Sequence, residues 1–428
     1  MKRVLIVTYY WPPSGGPGVQ RCLKFVKYLR RFNIEPVIVT VDENKASYPV
    51  YDESLAKEIP QGVKVYRTNS FEPLQLFSSL FKKEKVPYAA IPDRDKMSAV
   101  GKLSLYIRAN FFIPDARKGW NSYAFRQCCE IIEKEKIDAV FTSSPPHSTQ
   151  LIGLKLKNKF NLRWIADLRD PWTDIYYYHK FHHNDRAKRK DLAYESAVLN
   201  TADAVVVTSD HTAGLFAKKT KDGRGRIHVI ANGYDEEDFE GIVPFPQEKF
   251  VITFVGTIGM QFGIAHFVSA VKKLITQHTD IPVEVRFVGK TDMETKQLLE
   301  SQLGSHLHLV GYVSHKESVR YICSSQLLLL VIPQGENYGT VPGKTFEYMA
   351  SRKPVLCLAP KGSSAEAILD SCDAGQTFTH EDESGMMSYI GGLMQKWKSG
   401  EPVPGSNDNF RKYSRQNQTG LLAELLNR

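Results

Sequence analysis

The sequence predicts an α/β protein made of two domains with parallel sheets that face each other across a cleft, plus a C-terminal helix that crosses back to the first domain. Three observations lead to this prediction. Short β-branched runs alternate with segments of helical periodicity in both halves of the chain. Each half opens with a strand that runs into glycines. The pattern breaks at 240–249, around Pro244 and Pro246, and restarts at Phe250.

The first half begins with a βαβ unit. Val4 to Thr8 reads as a strand, Pro17 to Arg31 carries apolar residues at helical spacing, and Pro36 to Val41 is a second buried strand. A unit of this kind has parallel strands and a right-handed crossover. Further strands are expected at 63–66, 139–142, 163–166, 204–208 and 228–230, with helices at 125–136 and 147–160. Between about 70 and 120 we expect an insertion of short helices.

The second half repeats the alternation. Phe250 to Val255 precedes a glycine loop and a helix from Ile264 to Gln277. Further strands are expected at 283–288, 306–310, 326–332 and 354–358, and a final helix at 409–427. The predicted domains are therefore 1–245 and 246–408, followed by a crossover helix at 409–428.

Composition limits the class of protein. The 428 residues carry 56 Lys and Arg against 47 Asp and Glu, a net charge of +9. This excess is too dilute for a nucleic-acid binder, although it favours an anionic ligand or membrane surface. The six cysteines lack CxxC spacing, which predicts reduced thiols, a cytoplasmic location and no zinc site. No signal peptide is expected at the start, and the apolar run at 327–332 is too short to span a bilayer.

The glycine loops are candidate anion sites. Glycines at 14–18 and 256–263 allow backbone to approach a ligand, and the helix that follows offers unpaired N–H groups. The alternative for either loop is a tight structural turn. Because a glycine loop occurs at the start of each half, a functional interpretation is favoured. A dinucleotide fingerprint is a weak match to the first loop, because Arg21 occupies the third glycine position.

The segment from Gly339 to Val355 is the most informative. A Gly/Pro loop opens a helix with Lys344 in its first turn, an arrangement that suits a diphosphate. Glu347, one turn further, can accept hydrogen bonds from a ribose diol. The alternative for Glu347 is an exposed residue on an ordinary helix.

These motifs together resemble the retaining glycosyltransferases of family four, of the bacterial glycan-biosynthesis type. The resemblance rests on SGGPGVQR, SSPPHS, ADLRDPW, GTIGMQFG and PGKTFEYMASRKPV, and spans nearly the whole chain. It implies the GT-B fold, two Rossmann-like domains of which the first binds the acceptor and the second a nucleotide-diphosphate sugar. It also implies that Glu347 holds the ribose. The donor-binding residues it implies are Gly339, Thr340, Val341, Gly343, Thr257, Gly259 and Gln261.

The sequence departs from the family pattern at two places. Members commonly have a glutamate eight positions before the ribose glutamate, where this chain has Gly339. They also commonly have Arg and Lys in the glycine loop of the second domain, where this chain has Thr257 and Gln261. We expect Lys344 to supply the missing positive charge.

The acceptor side is expected after strands of the first half. Asp167, Arg169 and Asp170 follow one strand, and His147 follows another. Carboxylates there can orient a hydroxyl, and Arg169 can bind an anion. The alternatives are an ion-paired loop stapled by Trp172 and, for His147, a capping or packing role. Gly15 and Gly16 complete the expected acceptor-side set, and the cluster at 115–120 is a further candidate.

The sequence therefore predicts a glycosyltransferase, hexosyltransferase-like, that acts in cell-surface glycan biosynthesis. Asp170, Arg169 and Lys344 are the expected catalytic residues, and no metal or other cofactor is implied because no DxD pair ends a strand. The expected partners are a nucleotide-diphosphate sugar and a glycan or lipid-linked acceptor. The charge run at 186–190 adds an alternative, peripheral contact with the inner membrane surface. The competing functions are a nucleotide-sugar epimerase of the same fold and a non-catalytic nucleotide-sugar-binding protein.

Overall fold

The structure is a computed structural model that describes residues 1–72, 98–335, 337–403 and 405–428. The chain forms two compact units. The N-terminal unit comprises Met1–Ala231 with Thr419–Arg428, and the C-terminal unit comprises Asn232–Gln418. Each unit contains one parallel sheet with helices in the connections, so the predicted α/β class is confirmed.

The N-terminal unit contains a seven-stranded sheet in the order β3-β2-β1-β4-β5-β6-β7. Every pairing in it is parallel. The strands are β1 (Lys2–Thr8), β2 (Ile34–Val41), β3 (Lys64–Thr68), β4 (Ala139–Ser144), β5 (Arg163–Leu168), β6 (Ala204–Val207) and β7 (Ile227–Val229). The helices are α1 (Pro17–Leu29), α2 (Ala99–Phe111), α3 (Asn121–Glu135), α4 (Ser148–Phe160), α5 (Asp185–Thr201) and α6 (Asp210–Ala217).

The order of the strands reverses at β1, which pairs with β2 on one side and β4 on the other. Ligand sites of open parallel sheets form beyond the carboxyl ends of the strands at such a reversal. The segments that leave these ends are the glycine loop after β1 and residues 145–147 after β4. The fold therefore brings two of the sequence motifs to one edge.

The C-terminal unit contains a six-stranded parallel sheet in the order β10-β9-β8-β11-β12-β13. Its strands are β8 (Phe250–Val255), β9 (Val283–Val288), β10 (Leu307–Gly311), β11 (Leu327–Val331), β12 (Val355–Leu358) and β13 (Gly375–Phe378). Its helices are α7 (Ala265–Gln277), α8 (Met293–Leu303), α9 (His315–Cys323), α10 (Lys344–Ala350), α11 (Ser364–Asp370) and α12 (Glu383–Ser399). The strand order reverses between β8 and β11, so the second glycine loop and the segment before α10 leave the same edge.

The described units divide at residue 231, whereas the sequence places the boundary at 245. The segment after Ala231 already pairs within the C-terminal unit, because Tyr234 N–H donates to Tyr413 O at 3.3 Å and Arg415 N–H donates to Tyr234 O at 2.7 Å. Further along, Phe245 N–H donates to the Ser324 hydroxyl at 2.8 Å. The two prolines that interrupt the periodicity therefore belong to the C-terminal unit, where both are exposed.

The last helix, α13 (Arg415–Asn427), follows a short 3₁₀ segment at Asp408–Tyr413. From Thr419 onward the chain belongs to the N-terminal unit. Leu422, Ala423, Leu425 and Leu426 lie in the core of that unit. Two side chains also hold the helix end, since Arg163 Nε donates to Leu425 O at 2.7 Å and Lys2 Nζ to Asn427 O at 3.0 Å.

The expected insertion of short helices is described only in part. Helix α2 and a 3₁₀ turn at Lys118–Trp120 lie in it, whereas 73–97, including Pro92 and Asp93, are outside the described residues. All six cysteines are among the described residues and carry free thiols. In the part of the chain that the structure describes, no helix combines the length and hydrophobicity that crossing a membrane requires.

Candidate functional site

Lys344 connects two motifs of the C-terminal unit. It is the first residue of α10, and its Nζ donates a hydrogen bond to Val255 O, the last carbonyl of β8, at 3.0 Å. The ammonium also lies 3.6 Å from the centroid of the Phe254 ring. Gly256 follows with φ 130°, and a Cβ there would lie 3.5 Å from Nζ. The Gly/Pro loop before α10 and the second glycine loop therefore meet at this lysine.

The surroundings of Lys344 change its acidity. Desolvation lowers the pKa of its ammonium to about 7, while the Cys357 thiol and the Glu347 carboxylate act in the opposite direction. An anion bound beside it would favour the charged form. Lys344 is therefore a cation whose charge at neutral pH depends on what it binds.

Glu347 lies one helical turn after Lys344. Its Oε1 is 3.8 Å from Nε2 of His315, and the same ring nitrogen is 3.1 Å from Oδ2 of Asp238. His315 is the first residue of α9, and the side chain of Ser314 caps this helix. His315 was not among the predicted site residues, although Ser314, three residues after the end of β10, is a typical helix cap and indicates that a helix begins here.

The glycine loop after β8 is fixed by a carboxylate. A Cβ on Gly259 would lie 2.4 Å from Asp292 Oδ2, which accepts from Met260 N–H at 3.1 Å. The side chains of Thr257 and Gln261 are exposed. Within the described part of the chain, the amides of Thr257 and Gly259 donate no hydrogen bond. Gly259 thus has a packing role, and the loop keeps two donors for a ligand.

The other expected donor-binding residues lie between β11 and α10. Gly339, Thr340, Val341 and Gly343 are half-buried. Asn337, 2% exposed, fixes the start of this segment, because its Nδ2 donates to Pro333 O at 2.9 Å and its backbone carbonyl accepts from Thr340 N–H at 3.2 Å. Glu336, the acidic residue three positions before Gly339, lies outside the described residues.

Arg169 joins three loops of the N-terminal unit. Its Nε donates to Ser144 O and its Nη2 to Pro145 O, both at 2.9 Å. A Cβ on Gly18 would lie 1.9 Å from its Nη1, so the guanidinium occupies the space that this glycine leaves in the first turn of α1. Arg169 therefore holds the segments after β1, β4 and β5 together, in addition to any contact with a ligand.

Asp170 is half-buried, and its carboxylate makes no hydrogen bond or ion pair with the described residues. Burial raises the pKa of this carboxyl; the Arg169 charge opposes the shift and the Asp167 charge adds to it. Burial, followed by the charge of Asp170, also raises the pKa of the Tyr176 and Tyr177 phenols. A carboxylate that makes no hydrogen bond within the described residues is suited to accept one from a hydroxyl.

His147 packs face to face on Trp172, with ring centroids 4.7 Å apart and 11° between the planes. Desolvation, helped by the Arg169 charge, lowers the pKa of the imidazole to about 3. His147 makes no capping hydrogen bond to α4. That helix is capped by Asp115, which accepts from Ser148 N–H at 2.7 Å and from its hydroxyl at 2.8 Å. His147 is thus a neutral packing residue that stacks on Trp172, and Asp115 is a helix cap.

Asp167 differs from its expected role. It and Arg21 are both fully buried and paired, with Arg21 Nη2 2.9 Å from Asp167 Oδ1. Ser143 Oγ donates to the other carboxylate oxygen at 2.7 Å, and Arg21 Nη1 donates to Ala231 O at 2.8 Å. This corrects the expectation that Asp167 contacts an acceptor: its lone pairs are used inside the core.

Different constraints favour glycine at the two positions expected on the acceptor side, Gly15 and Gly16. A Cβ on Gly15 would lie 3.1 Å from Val50 and 3.2 Å from Asp52, and Gly15 N–H donates to Val50 O at 2.9 Å. Gly16 has φ 104°, which side chains rarely adopt, but nothing lies within 4 Å of a Cβ there. Only Gly16 leaves open space for a ligand.

No cluster of three or more His, Cys, Asp or Glu side chains that could hold a metal exists among the described residues. The absence of a metal requirement therefore stays a prediction.

Comparison with known proteins identifies the class. The model for "Glycosyltransferase Family 4" matches 89–238, and the model for "Glycosyl transferases group 1" matches 249–396. A Pseudomonas aeruginosa protein named "Probable glycosyltransferase WbjE" is 24% identical over 209 residues, which are 44% of this chain and half of that protein's length. The matches confirm the expectation of an enzyme of the glycosyltransferase class.

Solved structures agree on the fold. The E. coli trehalose-6-phosphate structure bound with UDP-2-fluoro glucose is 11% identical and superposes with a TM-score of 0.60, covering 99% of both chains. WaaG, a glycosyltransferase involved in lipopolysaccharide biosynthesis, is 11% identical with a TM-score of 0.54, covering 99% of this chain and 94% of WaaG. The expected GT-B fold is thereby confirmed.

Proposed function

We propose that the protein transfers a sugar from a nucleotide-diphosphate donor to an acceptor hydroxyl, with retention of anomeric configuration, in cell-surface glycan biosynthesis. The observation that carries the proposal is the position of Lys344, whose ammonium lies at the end of β8 beside the glycine loop. A cation and two amide donors at the reversal point of a parallel sheet suit a diphosphate. A solved structure of the same fold is bound with UDP-2-fluoro glucose, which supports this class of donor.

In this proposal Lys344 and the amides of Thr257 and Gly259 stabilise the negative charge of the departing diphosphate. Glu347 accepts hydrogen bonds from the ribose hydroxyls. The acceptor oxygen forms a bond to the anomeric carbon as the bond from that carbon to the diphosphate oxygen breaks, and the hydroxyl proton leaves with the diphosphate. Because Lys344 supplies the positive charge, we include no metal, and transfer is expected to continue in EDTA.

On the acceptor side, we assign Asp170 to the hydroxyl that is glycosylated. Its carboxylate makes no hydrogen bond within the described residues, and Arg169 holds the loops around it. Orientation of a hydroxyl by such a carboxylate contributes through positioning. The acceptor is proposed to be a glycan or a lipid-linked glycan, which agrees with the involvement of WaaG in lipopolysaccharide biosynthesis.

A lipid-linked acceptor would be met at a membrane, and the N-terminal unit has a suitable surface for it. Helix α2 exposes Leu103, Tyr106 and Phe111, the last with 74% of its surface accessible. Its end is joined to the start of α5, since His183 Nδ1 donates to Ala109 O at 2.6 Å. The first turns of α5 carry the exposed basic residues Arg186, Lys188, Arg189 and Lys190, and exposed Lys180 lies in the 3₁₀ turn before the helix.

Apolar and basic side chains on neighbouring elements are typical of proteins that bind anionic lipid surfaces. We therefore propose peripheral contact with the inner face of the cytoplasmic membrane, the protein itself lying in the cytoplasm. Co-sedimentation with vesicles of phosphatidylcholine and phosphatidylglycerol tests this. Binding that falls when Arg186, Lys188 and Arg189 are changed to Gln supports the contact, and equal binding to neutral vesicles contradicts it.

A thermal-shift screen against UDP, GDP, ADP and CMP sugars identifies the donor, after which transfer to a glycan acceptor is measured. Transfer with an unchanged anomeric configuration by NMR supports the proposal. Binding without transfer or donor hydrolysis would instead indicate a nucleotide-sugar-binding protein. Release of an epimerised sugar nucleotide without acceptor would indicate an epimerase.

A further inference from the structure

The turn that carries Asp170 contains a strained residue. Trp172 has a backbone φ of 30°, in the left-handed region that residues other than glycine rarely occupy. Its N–H donates to Asp170 O at 2.9 Å, so its conformation and the position of Asp170 are coupled through one tight turn. A strained conformation of this kind persists only where the surroundings enforce it, and it is found preferentially at functional sites.

A buried carboxylate enforces it here. Trp172 is 2% exposed, and its Nε1 donates to Asp191 Oδ1 at 2.8 Å. The other oxygen of Asp191 accepts from the Tyr178 hydroxyl, also at 2.8 Å. Asp191 therefore binds the beginning and the end of the segment 172–178 at once. The face of the Trp172 ring is in turn covered by His147.

A second carboxylate of the same helix supports the segment. Glu195 lies one turn after Asp191 on α5 and is 1% exposed. It accepts from Thr173 N–H at 3.2 Å and from its hydroxyl at 2.6 Å, and it pairs with Lys219 at 2.8 Å. Within the residues that the structure describes, Glu195 thus has a cationic partner, whereas Asp191 has none.

The burial of the Asp191 carboxylate lowers the stability of the folded protein, so stability alone does not explain this residue. Burial is the largest cause that raises the pKa of its carboxyl to about 6; the charges of Glu195 and Asp115 add to it, and the hydrogen bonds from Trp172 and Tyr178 oppose it. A buried carboxylate without a cation is unfavourable, and perturbed groups of this kind concentrate at functional sites.

We propose that Asp191 is a positioning residue, which keeps the strained turn at Trp172 and thereby holds Asp170 in place for the acceptor. The inference rests on the proposed function for the role of Asp170. Asp191 itself contacts no substrate. It acts through the indole N–H of Trp172, a group that can only donate.

The experiment compares four variants of the full chain. Asp191→Ala removes both hydrogen bonds, and Trp172→Phe removes the indole N–H but keeps a ring. Asp191→Asn retains an acceptor for Trp172 and a donor for Tyr178. Asp203→Ala is the control, because Asp203 also accepts a buried-strand amide, Trp164 N–H at 2.7 Å, but at the start of β5. Hydrogen exchange of the peptide covering 168–180 and the kinetics of transfer are measured for each.

The expected result is about tenfold faster exchange in 168–180 for Asp191→Ala and Trp172→Phe, with kcat lower by a similar factor and the donor KM unchanged. Asp191→Asn and the control should behave like the wild type. The inference is overturned if exchange is unchanged in Trp172→Phe, or if Asp191→Asn is as impaired as Asp191→Ala. Should Asp191→Ala fail to fold, Trp172→Phe and Asp191→Asn, each compared with the wild type, decide.

The two hypotheses fail in different ways. If the wild type transfers no sugar from any donor, the proposed function is wrong, and the exchange measurements still decide whether Asp191 holds the turn. If the wild type transfers sugar but Asp191→Ala and Trp172→Phe exchange and react normally, only the positioning role is wrong.

Discussion

The ammonium of Lys344 donates a 3.0 Å hydrogen bond to the carbonyl oxygen of Val255. This contact links the first residue of α10 to the last residue of β8, 89 positions away in sequence. A lysine ammonium has three donors, so one bond to a carbonyl does not saturate it. Since its pKa is lowered to about 7 by desolvation, the charge of the site is sensitive to pH and to ligands.

The affinity for the nucleoside diphosphate should therefore fall as the pH rises above about 7. A bound diphosphate favours the ammonium, so binding above the pKa of free Lys344 requires uptake of a proton, and Kd should rise up to about tenfold per pH unit. Calorimetry between pH 6 and 9 in buffers of different ionisation enthalpy measures both effects. In Lys344→Gln the affinity should be weaker and nearly independent of pH. A flat profile in the wild type would contradict this role.

Glu347→Ala should weaken donor binding by about ten- to a hundredfold, because the ribose hydroxyls lose a charged hydrogen-bond acceptor. The loss should be smaller for the 2′-deoxy nucleotide, so that a double comparison of protein and ligand isolates the contact. Calorimetric Kd values for both nucleotides provide the test. Glu317→Gln, an exposed residue of α9, is the matched control. If Glu347→Ala lost the same affinity for both nucleotides, Glu347 would not contact the ribose 2′-hydroxyl.

Asp170→Ala should lower kcat by about a hundredfold while the affinity for the donor stays unchanged. The reason is that Asp170 is assigned to the acceptor hydroxyl and belongs to the unit that does not carry Lys344 and Glu347. Single-turnover transfer together with donor calorimetry separates the two effects. Asp210→Asn, exposed at the start of α6, controls for the loss of a carboxylate in the same unit. A weaker donor affinity in Asp170→Ala would argue against this assignment.

Asp167→Ala should destabilise the protein by about 3–5 kcal/mol, because it leaves the fully buried Arg21 guanidinium without its partner. Replacing both residues, as in Arg21→Met with Asp167→Leu, should recover most of that loss. Urea unfolding monitored by circular dichroism reports both values. If Asp167→Ala unfolds within about 1 kcal/mol of the wild type, the ion pair is not the structural element described above.

Asp191→Asn should stabilise the protein at neutral pH. The folded pKa of about 6 lies above the value near 3.9 of an unfolded Asp, so the wild type loses stability as the pH rises through this interval, by at most about 1.4 kcal/mol per unit. The asparagine variant does not titrate. The difference in the free energy of unfolding between Asp191→Asn and the wild type should vanish at about pH 4 and reach its full value above about pH 6.5. Urea unfolding of both proteins at four pH values measures it; a constant difference would contradict the assigned pKa.

The fold and half of the candidate site were accessible from sequence because their signals are local. Strand periodicity and the glycines after β1 and β8 predicted the two sheets and the edge that carries the motifs. Lys344 was predicted from the loop that precedes it. The strand β13 was missed, since its four residues begin with Gly375, Gln376 and Thr377 and carry little hydrophobic signal.

The role of Asp167 was not accessible in this way. Its position after a strand indicated a ligand site, whereas its partner Arg21 lies 146 residues earlier and identifies it as part of the core. Likewise, nothing near Trp172 in sequence indicates that Asp191 accepts its indole N–H. Tertiary packing decides which residues that are distant in sequence form ion pairs or hydrogen bonds. The hydrophobic periodicity of the sequence does not contain this information.

The course of α13 has a consequence for synthesis. The core of the N-terminal unit includes Leu422, Ala423, Leu425 and Leu426, yet the whole of Asn232–Gln418 is translated before them. Until the ribosome has synthesised α13, the nascent N-terminal unit lacks this helix. The apolar surface against which the helix packs is exposed during that time. The second unit can therefore complete its own core first, although it emerges later. A chaperone that recognises exposed apolar surface would find its target in this interval.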